Sequence, residues 1–392
     1  MLRFRKQTSV DEDQDMPPSK NQDVLPLLPS LDLENQLQKQ RRTVDFDSFD
    51  MTIKELIQRM KDREIHISPR YQRRFRWEED RCSLFVESML LGIPIPSVFM
   101  ATNPDSTWEL VDGVQRLSTL AYFAGNDELR AMLNVADIER YRRPLALEGL
   151  KKLSKFNGFH FLQLPEASQR HFLSRPLKVI TLNDKSDRVL RFDLFERLNT
   201  GGVILSKQEI RDCIFEGQFA DKIEELSKDP NFKKVVTLTK LQRTDATAEE
   251  CVLRFFAFRA RYTAFVHDVT DFLNDYMEWA VGSFNYEAEE RVFRSTFSEL
   301  ARIFPDGLKR VGTKRGSNTT PLNLFEGIAV GASFALERVT RLHTAGMKSW
   351  LASDTLRRFT TGATNSGPAV KGRIEFCRNR FIGKPYVPDS KD

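Results

Sequence analysis

Long apolar runs are missing from this sequence of 392 residues, which has no stretch of eighteen consecutive apolar residues. A helix needs about twenty such residues to cross a bilayer, so the sequence predicts no membrane partner. Its first twenty residues contain basic side chains but no apolar segment of a signal peptide. We therefore expect a cytoplasmic protein.

Cysteine and histidine are scarce and scattered. The cysteines are Cys82, Cys213, Cys251 and Cys377, and the histidines are His66, His160, His171, His267 and His343. No Cys-x-x-Cys pair and no His cluster is present, so neither a zinc site nor a dithiol motif is predicted. Reduced, structural cysteines fit a cytoplasmic chain.

Charge is unevenly distributed along the chain. The formal net charge is +5, but residues 308–384 contain fourteen Lys and Arg residues against four acidic ones, a net charge of +10. Clustered basic side chains bind polyanions because they release condensed counterions from phosphates. The alternative is a solvated helical surface. The residues predicted to bind DNA are Arg310, Lys314, Arg315, Arg357, Arg358, Arg378 and Arg380.

Hydrophobic periodicity divides the chain into four parts. Residues 1–44 are rich in Pro, Asp, Gln and Ser and are predicted to be a disordered arm with a short helix at 31–40. Residues 45–204 alternate helical and strand-like patterns, which predicts an α+β domain. Residues 205–385 show helical stripes alone, and residues 386–392 form a tail.

Local signals place the elements of the α+β part. Capping boxes at Thr52/Glu55 and Ser206/Glu209 mark two helix starts. Strands are predicted at 65–67, 95–100, 108–111 and 177–182, and helices at 78–91 and 115–123.

The stretch "ELVDGVQRLSTLAYF" passes from a strand through Asp-Gly into a helix. Gly113 permits the positive φ of a sharp turn. Gln115 and Arg116 then lie at a helix start, where free amides and the macrodipole favour an anion. Asp112 has three open roles: orienting Arg116, holding a metal ion or activating water. The alternative is a plain turn with a surface ion pair.

Two further stretches contain chemically informative side chains. In "SPRYQRRFRWEED", residues 68–80, four arginines alternate with three aromatics, a combination suited to phosphates and bases. The alternative is that Tyr71 and Trp77 cover the core while the arginines pair with the following acids. In "FERLNTGG", Asn199 and the amides near Gly201 are suited to a ligand, although a helix C-cap explains the glycines equally well.

Together, these stretches resemble the N-terminal domain of GmrSD-type restriction endonucleases, whose hallmark is a DGQQR motif. Here the hallmark reads "VDGVQRLSTL", "SPRYQRRFRW" is similar to the family's Pro-x-Tyr-Gln-Arg-x-x-x-Trp segment, and "FERLNTGGVILSKQEIRDCIF" to its Arg-x-Asn-x-Gly block. "LQRTDATAEECVLRFFAFR" is similar to the helical extension, with Arg243, Glu249 or Glu250, and Arg254 in place. The likeness spans about residues 45–280.

The resemblance implies a fold like that of ParB and sulfiredoxin, nucleotide binding and, in several members of the family, NTP hydrolysis, used by bacterial systems that restrict modified or phage DNA. It assigns catalytic roles to Asp112, Gln115 and Arg116, and nucleotide binding to Tyr71, Gln72, Arg73, Gly113, Asn199 and Gly201. The expected cofactors are an NTP of unassigned base and Mg²⁺. The first Gln of the hallmark is Val114 here, which leaves the catalytic part of that position open.

Many relatives carry an HNH nuclease, which needs clustered His around a metal; the isolated histidines predict none here. We therefore expect a nucleotide-dependent sensor or regulatory subunit that contacts DNA and relies on a separate nuclease or effector protein. Two alternatives stay open: a non-catalytic DNA-binding specificity module that grips phosphate through Arg116, and a metal-dependent nuclease that uses Asp112. Homo-oligomerisation also stays open.

Overall fold

The computed structural model describes residues 30–40, 45–67, 77–103, 105–133, 141–183, 188–198, 205–311, 319–362 and 364–386. The chain divides into two units, Met1–Thr43 and Val44–Asp392. Helix α1 (Ser30–Gln40) is the described part of the first unit, at the position where the sequence predicts a short helix. The remainder of the predicted arm, and residues 387–392 of the predicted tail, lie outside the described residues.

In the second unit, strands and helices alternate in the first half, and the described part of the second half contains helices alone. The strands are β1 (Phe46–Thr52), β2 (Ile65–His66), β3 (Val98–Thr102), β4 (Trp108–Asp112) and β5 (Pro176–Leu182). The helices of the first half are α2 (Ile53–Lys61), α3 (Glu79–Leu91), α4 (Val114–Ala124), α5 (Asp127–Ala131), α6 (Glu166–Leu173) and α7 (Arg188–Leu198). The later helices are α8 (Lys207–Ile214), α9 (Gln218–Ser227), α10 (Pro230–Val235), α11 (Thr247–Arg261), α12 (Val269–Ser283), α13 (Tyr286–Ile303), α14 (Leu322–Leu336), α15 (Met347–Leu351), α16 (Asp354–Thr360) and α17 (Gly367–Phe381).

The five strands form one mixed sheet in the order β1-β5-β3-β4-β2. The outer pair β1/β5 and the inner pair β3/β4 are antiparallel, whereas β3/β5 and β2/β4 are parallel. A mixed sheet with helices, followed by helices alone, confirms the predicted α+β class.

Both predicted capping residues begin their helices. Thr52 Oγ1 accepts from the amide of Glu55 at 3.2 Å, and Ser206 and Glu209 form a complete capping box. Strand β3 begins at Val98, three residues after the predicted start, because Pro94 and Pro96 have no amide hydrogen to donate to a neighbouring strand.

Strand β1 has no counterpart among the predicted strands. It is an edge strand with the sequence Phe-Asp-Ser-Phe-Asp-Met-Thr, and its side chains are exposed or half-buried except for Met51. Period-two patterning is weak in such a strand because neither face is fully covered.

Hydrophobic residues form one cluster around the sheet, a second in the helical half and a third between them. In the third, Ala101 and Val111 of the sheet meet Phe195 of α7 and Ile210 and Cys213 of α8. Residues 199–204, at the predicted domain boundary, lie outside the described residues, so the division at residue 204 stays a prediction. None of the helices in the described ranges combines the length and the apolar character that crossing a membrane requires.

Candidate functional site

The Asp-Gly turn joins β4 directly to α4. Gly113 has φ +109° and is the N-cap of α4, a conformation that side-chain-bearing residues rarely adopt. A Cβ at this position would lie 3.0 Å from Val98 Cγ1 and 3.3 Å from Arg116 Nη2. Glycine therefore allows the chain to turn while Arg116 folds back over it.

Arg116 connects the turn to the start of β3. Its Nη2 donates to Asp112 Oδ2 at 2.5 Å and to the backbone carbonyl of Ser97 at 3.1 Å. Its Nε is buried and has no hydrogen-bond partner among the described residues. The side chain of Arg116 is 13% exposed and that of Asp112 is 38% exposed. The bond between them fits the first of the three roles open to Asp112, orienting Arg116, and the other two roles stay predictions.

Gln115 ties the turn to the arginine-rich segment. Its side-chain Oε1 accepts from the backbone amide of Trp77 at 3.1 Å, and its carbonyl accepts from Thr119 Oγ1 at 2.7 Å. Because Trp77 is the last residue of the Pro-x-Tyr-Gln-Arg-x-x-x-Trp segment, the structure brings one end of that segment to the turn.

Hydrophobic contacts bring the third motif to the same edge of the sheet. Phe195, the first residue of "FERLNTGG", is buried beside Val111 at the end of β4. Ile67, which precedes the arginine-rich segment, packs against the same cluster. Each of the three motifs thus has a residue packed or bonded beside the turn. The predicted nucleotide-binding residues Tyr71, Gln72, Arg73, Asn199 and Gly201 lie outside the described residues.

Val114, which replaces the first Gln of the hallmark, is half-buried at the first position of α4. It packs against the cluster around the sheet and also against the cluster that contains Val111 and Phe195. An amide at this position would give up part of this apolar packing. The valine therefore contributes apolar contacts at a position where the family hallmark has a polar side chain.

The residues predicted to bind DNA differ in exposure. Arg357 and Arg358 of α16 are exposed, whereas Arg310, Arg378 and Arg380 are half-buried. Arg310 donates to the carbonyl of Thr360 and to Thr361 Oγ1, both at 2.8 Å. Burial, and then the charge of Arg357, lower the pKa of Arg310.

At the end of α17, Arg378 pairs with Glu375 at 4.0 Å, and the guanidinium of Arg380 lies over the ring of Phe376. Lys314 and Arg315 lie outside the described residues. The structure thus leaves Arg357 and Arg358 as the most accessible of the predicted DNA-binding cations that it describes.

Sequence reasoning missed a buried chain of alternating charges in the helical half. It runs from Arg211 (α8) through Glu250 and Arg254 (α11) to Glu326 (α14) and Arg373 (α17). Only the i, i+4 pair within α11 is visible as a spacing in the sequence. Arg373 adds to the basic count of residues 308–384 but is fully buried, so it contributes nothing to a basic surface.

The electrostatics of this chain follow from burial and pairing. Burial lowers the pKa of Arg211, an effect that Glu250 partly offsets. Burial alone would also lower the pKa of Arg254, but the carboxylates of Glu250 and Glu326 outweigh it and raise this pKa. For Glu250, burial raises the pKa, but Arg254 and Arg211 outweigh it and lower the pKa.

Metal ligands do not form a cluster in the described parts of the chain, where no group of three or more His, Cys, Asp or Glu residues is placed to hold an ion. Asp112, which is half-buried, is the carboxylate of the turn. A magnesium ion that accompanies a nucleotide commonly takes one or two protein carboxylates and the ligand's phosphates. Asp112 is suited to be such a carboxylate ligand.

Comparison with known proteins gives one informative match. Neither a curated protein nor a solved structure matches the chain. A family model does match residues 53–216, and its description is "GmrSD restriction endonuclease, N-terminal domain". The matched segment contains the turn at Asp112, Trp77, Phe195 and the whole of α8. Residues 53–216 of this chain are therefore similar to the N-terminal domain of the GmrSD restriction endonuclease family.

Proposed function

We propose that this protein is a nucleotide-dependent sensor or regulatory subunit of a bacterial DNA-restriction system. Its α+β part, of ParB-like fold, binds an NTP with Mg²⁺ at the turn around Asp112 and Arg116 and hydrolyses it. The basic helices near the C-terminus contact DNA, and a separate nuclease or effector protein supplies the cutting. The family match at residues 53–216 supports the restriction role.

The observation that carries the nucleotide proposal is the Asp112–Arg116 pair at the start of α4. The first amides of helix α4 have no carbonyl partner within the helix, and their partial charge favours phosphate oxygens. Arg116 adds a fixed positive charge, and Asp112 adds a half-buried carboxylate of the kind that binds the magnesium ion accompanying a nucleotide. Gln115 fixes the adjoining end of the arginine-rich segment.

Arg116→Ala is expected to weaken NTP binding by about tenfold or more, because a charge-assisted contact contributes about 1.5–3 kcal/mol. We also expect a lower melting temperature, since the carbonyl of Ser97 loses its donor. Isothermal titration calorimetry with each of the four NTPs and Mg²⁺ measures the affinity.

The matched control is Arg170→Ala, which removes another i, i+4 Arg–carboxylate pair, with Glu166 of α6. It should leave the affinity unchanged. An Arg116→Ala protein that is folded and binds every NTP as the parent does would contradict the nucleotide proposal.

The exposure of Arg357 and Arg358 supports DNA contact through α16. Replacing both by Gln should weaken binding of duplex DNA and lower the salt dependence, by about 0.9 in the slope of log affinity against log salt for each phosphate that is no longer neutralised. Fluorescence anisotropy over a range of salt concentrations measures both quantities. The control is Arg291→Gln on α13, which removes another exposed arginine. A salt slope that stays the same in the double variant would show that α16 makes no phosphate contact.

A further inference from the structure

A cleft of about 440 Å³ lies in the helical half. Its walls come from the end of α9, from α10 and the residues that follow it, and from the first turn of α11. The lining residues are Ser227, Lys228, Phe232, Lys233, Val236, Leu238, Arg243, Ala248 and Glu249. Small-ligand sites in proteins typically occupy about 300–1,000 Å³, so the cleft is large enough for a nucleotide.

Three exposed cations line this cleft. Lys228 pairs with Glu224 at 2.8 Å, and Arg243 donates through Nε to the carbonyl of Leu238 at 3.3 Å. For Lys233, no ion pair or hydrogen bond of the side chain is found within the described part of the chain. Arg243 therefore keeps its terminal amino groups, and Lys233 its whole ammonium group, for a ligand. Phosphate oxygens are the acceptors that such groups bind most strongly.

The first turn of α11 borders the cleft. The N-cap is Ala246, whose side chain cannot accept a hydrogen bond. Asp245 accepts from the amide of Thr247 at 3.1 Å. Ala248 and Glu249 follow in this turn and line the cleft. The start of this fifteen-residue helix borders the same cleft as the three cations. Its macrodipole favours an anion there, and the carboxylates of Glu249 and Glu250 in the first turn oppose part of that effect.

The other lining residues suit the remaining parts of a nucleotide. Phe232, Val236 and Leu238 provide an apolar wall for a base. Glu249 accepts from Ser227 Oγ at 3.2 Å and, as a carboxylate, has further lone pairs for a hydroxyl or amino group of the ligand. A bare inorganic anion would use only the cationic part of this lining.

We propose that this cleft is a second nucleotide site, which binds a nucleotide either free or as one unit of a nucleic-acid strand. The phosphates lie at Lys228, Lys233 and Arg243, and the base lies against the apolar wall. The site shares no residue with the turn at Asp112 and Arg116, so it does not depend on the function proposed for that turn.

The test compares two matched double variants of the full chain. Lys233→Gln/Arg243→Gln removes two cations of the cleft, whereas Lys234→Gln/Lys240→Gln removes two exposed cations of the same segment that do not line it. The probes are a mant-labelled ATP and a short fluorescein-labelled oligo(dT), and their anisotropy is recorded on titration with protein. Both pairs are also made in the Arg116→Ala chain, which lacks the first proposed site.

The cleft variant should bind at least one probe about tenfold more weakly, and the control variant should stay within about twofold of the parent. Loss of mant-ATP binding alone identifies a free nucleotide as the ligand, and loss of oligo(dT) binding identifies a strand. Equal losses of affinity in the two variants, or no loss in the cleft variant, would overturn the inference.

The two proposed sites fail in distinguishable ways. If Arg116→Ala alone removes all binding of both probes, the cleft is not a nucleotide site, and the function proposed for the turn at Arg116 is supported. If Arg116→Ala changes nothing but the cleft variant loses binding, the cleft stands and the function proposed for the turn fails.

Discussion

Replacing Glu326 by Gln should reduce the free energy of unfolding by about 3–5 kcal/mol, the usual cost of breaking a buried ion pair by removing one partner. Glu326 is completely buried in α14. Its two carboxylate oxygens accept from Arg254 Nη1 at 2.5 Å and from Arg373 Nη2. Glutamine keeps the shape but turns an amide donor toward one guanidinium, and it leaves half-buried Arg254 and buried Arg373 with one carboxylate fewer.

Equilibrium unfolding in urea measures this loss of stability. The control is Glu337→Gln, which removes the half-exposed carboxylate that pairs with Arg259 at 2.8 Å and follows the last residue of the same helix. It should cost less than about 1 kcal/mol, as exposed ion pairs do. If the two variants lose equal stability, water reaches Glu326 and the charge chain is not a buried one.

The expected effect is large because the charge chain connects four helices. It begins at Arg211 in α8, inside the segment matched by the family model, and ends at Arg373 in α17. Arg211 also donates to Asn274 Oδ1 at 2.8 Å, and Arg373 donates to the carbonyl of Thr364 at 2.8 Å. Each end is thus hydrogen-bonded outside the chain of charges. Removing the carboxylate of Glu326 leaves Arg373, which is fully buried, without its ion-pair partner.

Close packing between α14 and α17 excludes water from the members of the charge chain that belong to these two helices. A Cβ at Gly331 would lie 2.8 Å from the backbone nitrogen of Arg378, and one at Gly327 would lie 3.0 Å from the carbonyl of Arg373. The two glycines therefore let the helix backbones approach closely. Their spacing of four residues places them on one helix face, next to Glu326.

Local signals in the sequence predicted most of the elements correctly. Thr52 and Ser206 mark helix starts because each accepts a hydrogen bond from the residue three positions later. Such short-range contacts can be recognised from the sequence alone. Strand β1 could not be read in this way, because its pairing with β5 joins Phe46 to Leu182 across most of the α+β part. The same limit hid the buried charge chain, whose members come from four separate helices.

The strand–helix turn was predictable from the sequence, but its internal geometry was not. The sequence placed Asp112, Gly113, Gln115 and Arg116 at a strand–helix turn, and the structure places them there. The sequence does not show which of Asp112 and Arg116 is the more exposed. Arg116 is held by its bond to the carbonyl of Ser97, and that bond depends on how β3 and β4 pair. Likewise, the basic count of residues 308–384 could not reveal that Arg373 is buried.

Asp112→Asn should reduce Mg²⁺-dependent NTP hydrolysis by roughly 100-fold or more while the chain stays folded. Asparagine keeps one oxygen that can accept from Arg116 Nη2, and the position is exposed enough to solvate an amide. What it loses is the negative charge available to a magnesium ion or to an attacking water. Release of inorganic phosphate measures turnover, and calorimetry without metal measures binding of the nucleotide alone, which should change little.

The control for this variant is Asp127→Asn, which alters another Asp–Arg pair, with Arg130, at the start of the neighbouring helix α5. It should leave both turnover and binding unchanged. If Asp112→Asn lowers turnover and metal-free binding by the same factor, Asp112 acts by orienting Arg116 and has no part in the chemical step. If turnover stays within about threefold of the parent's, the carboxylate is dispensable. Hydrolysis would then depend on a residue other than Asp112.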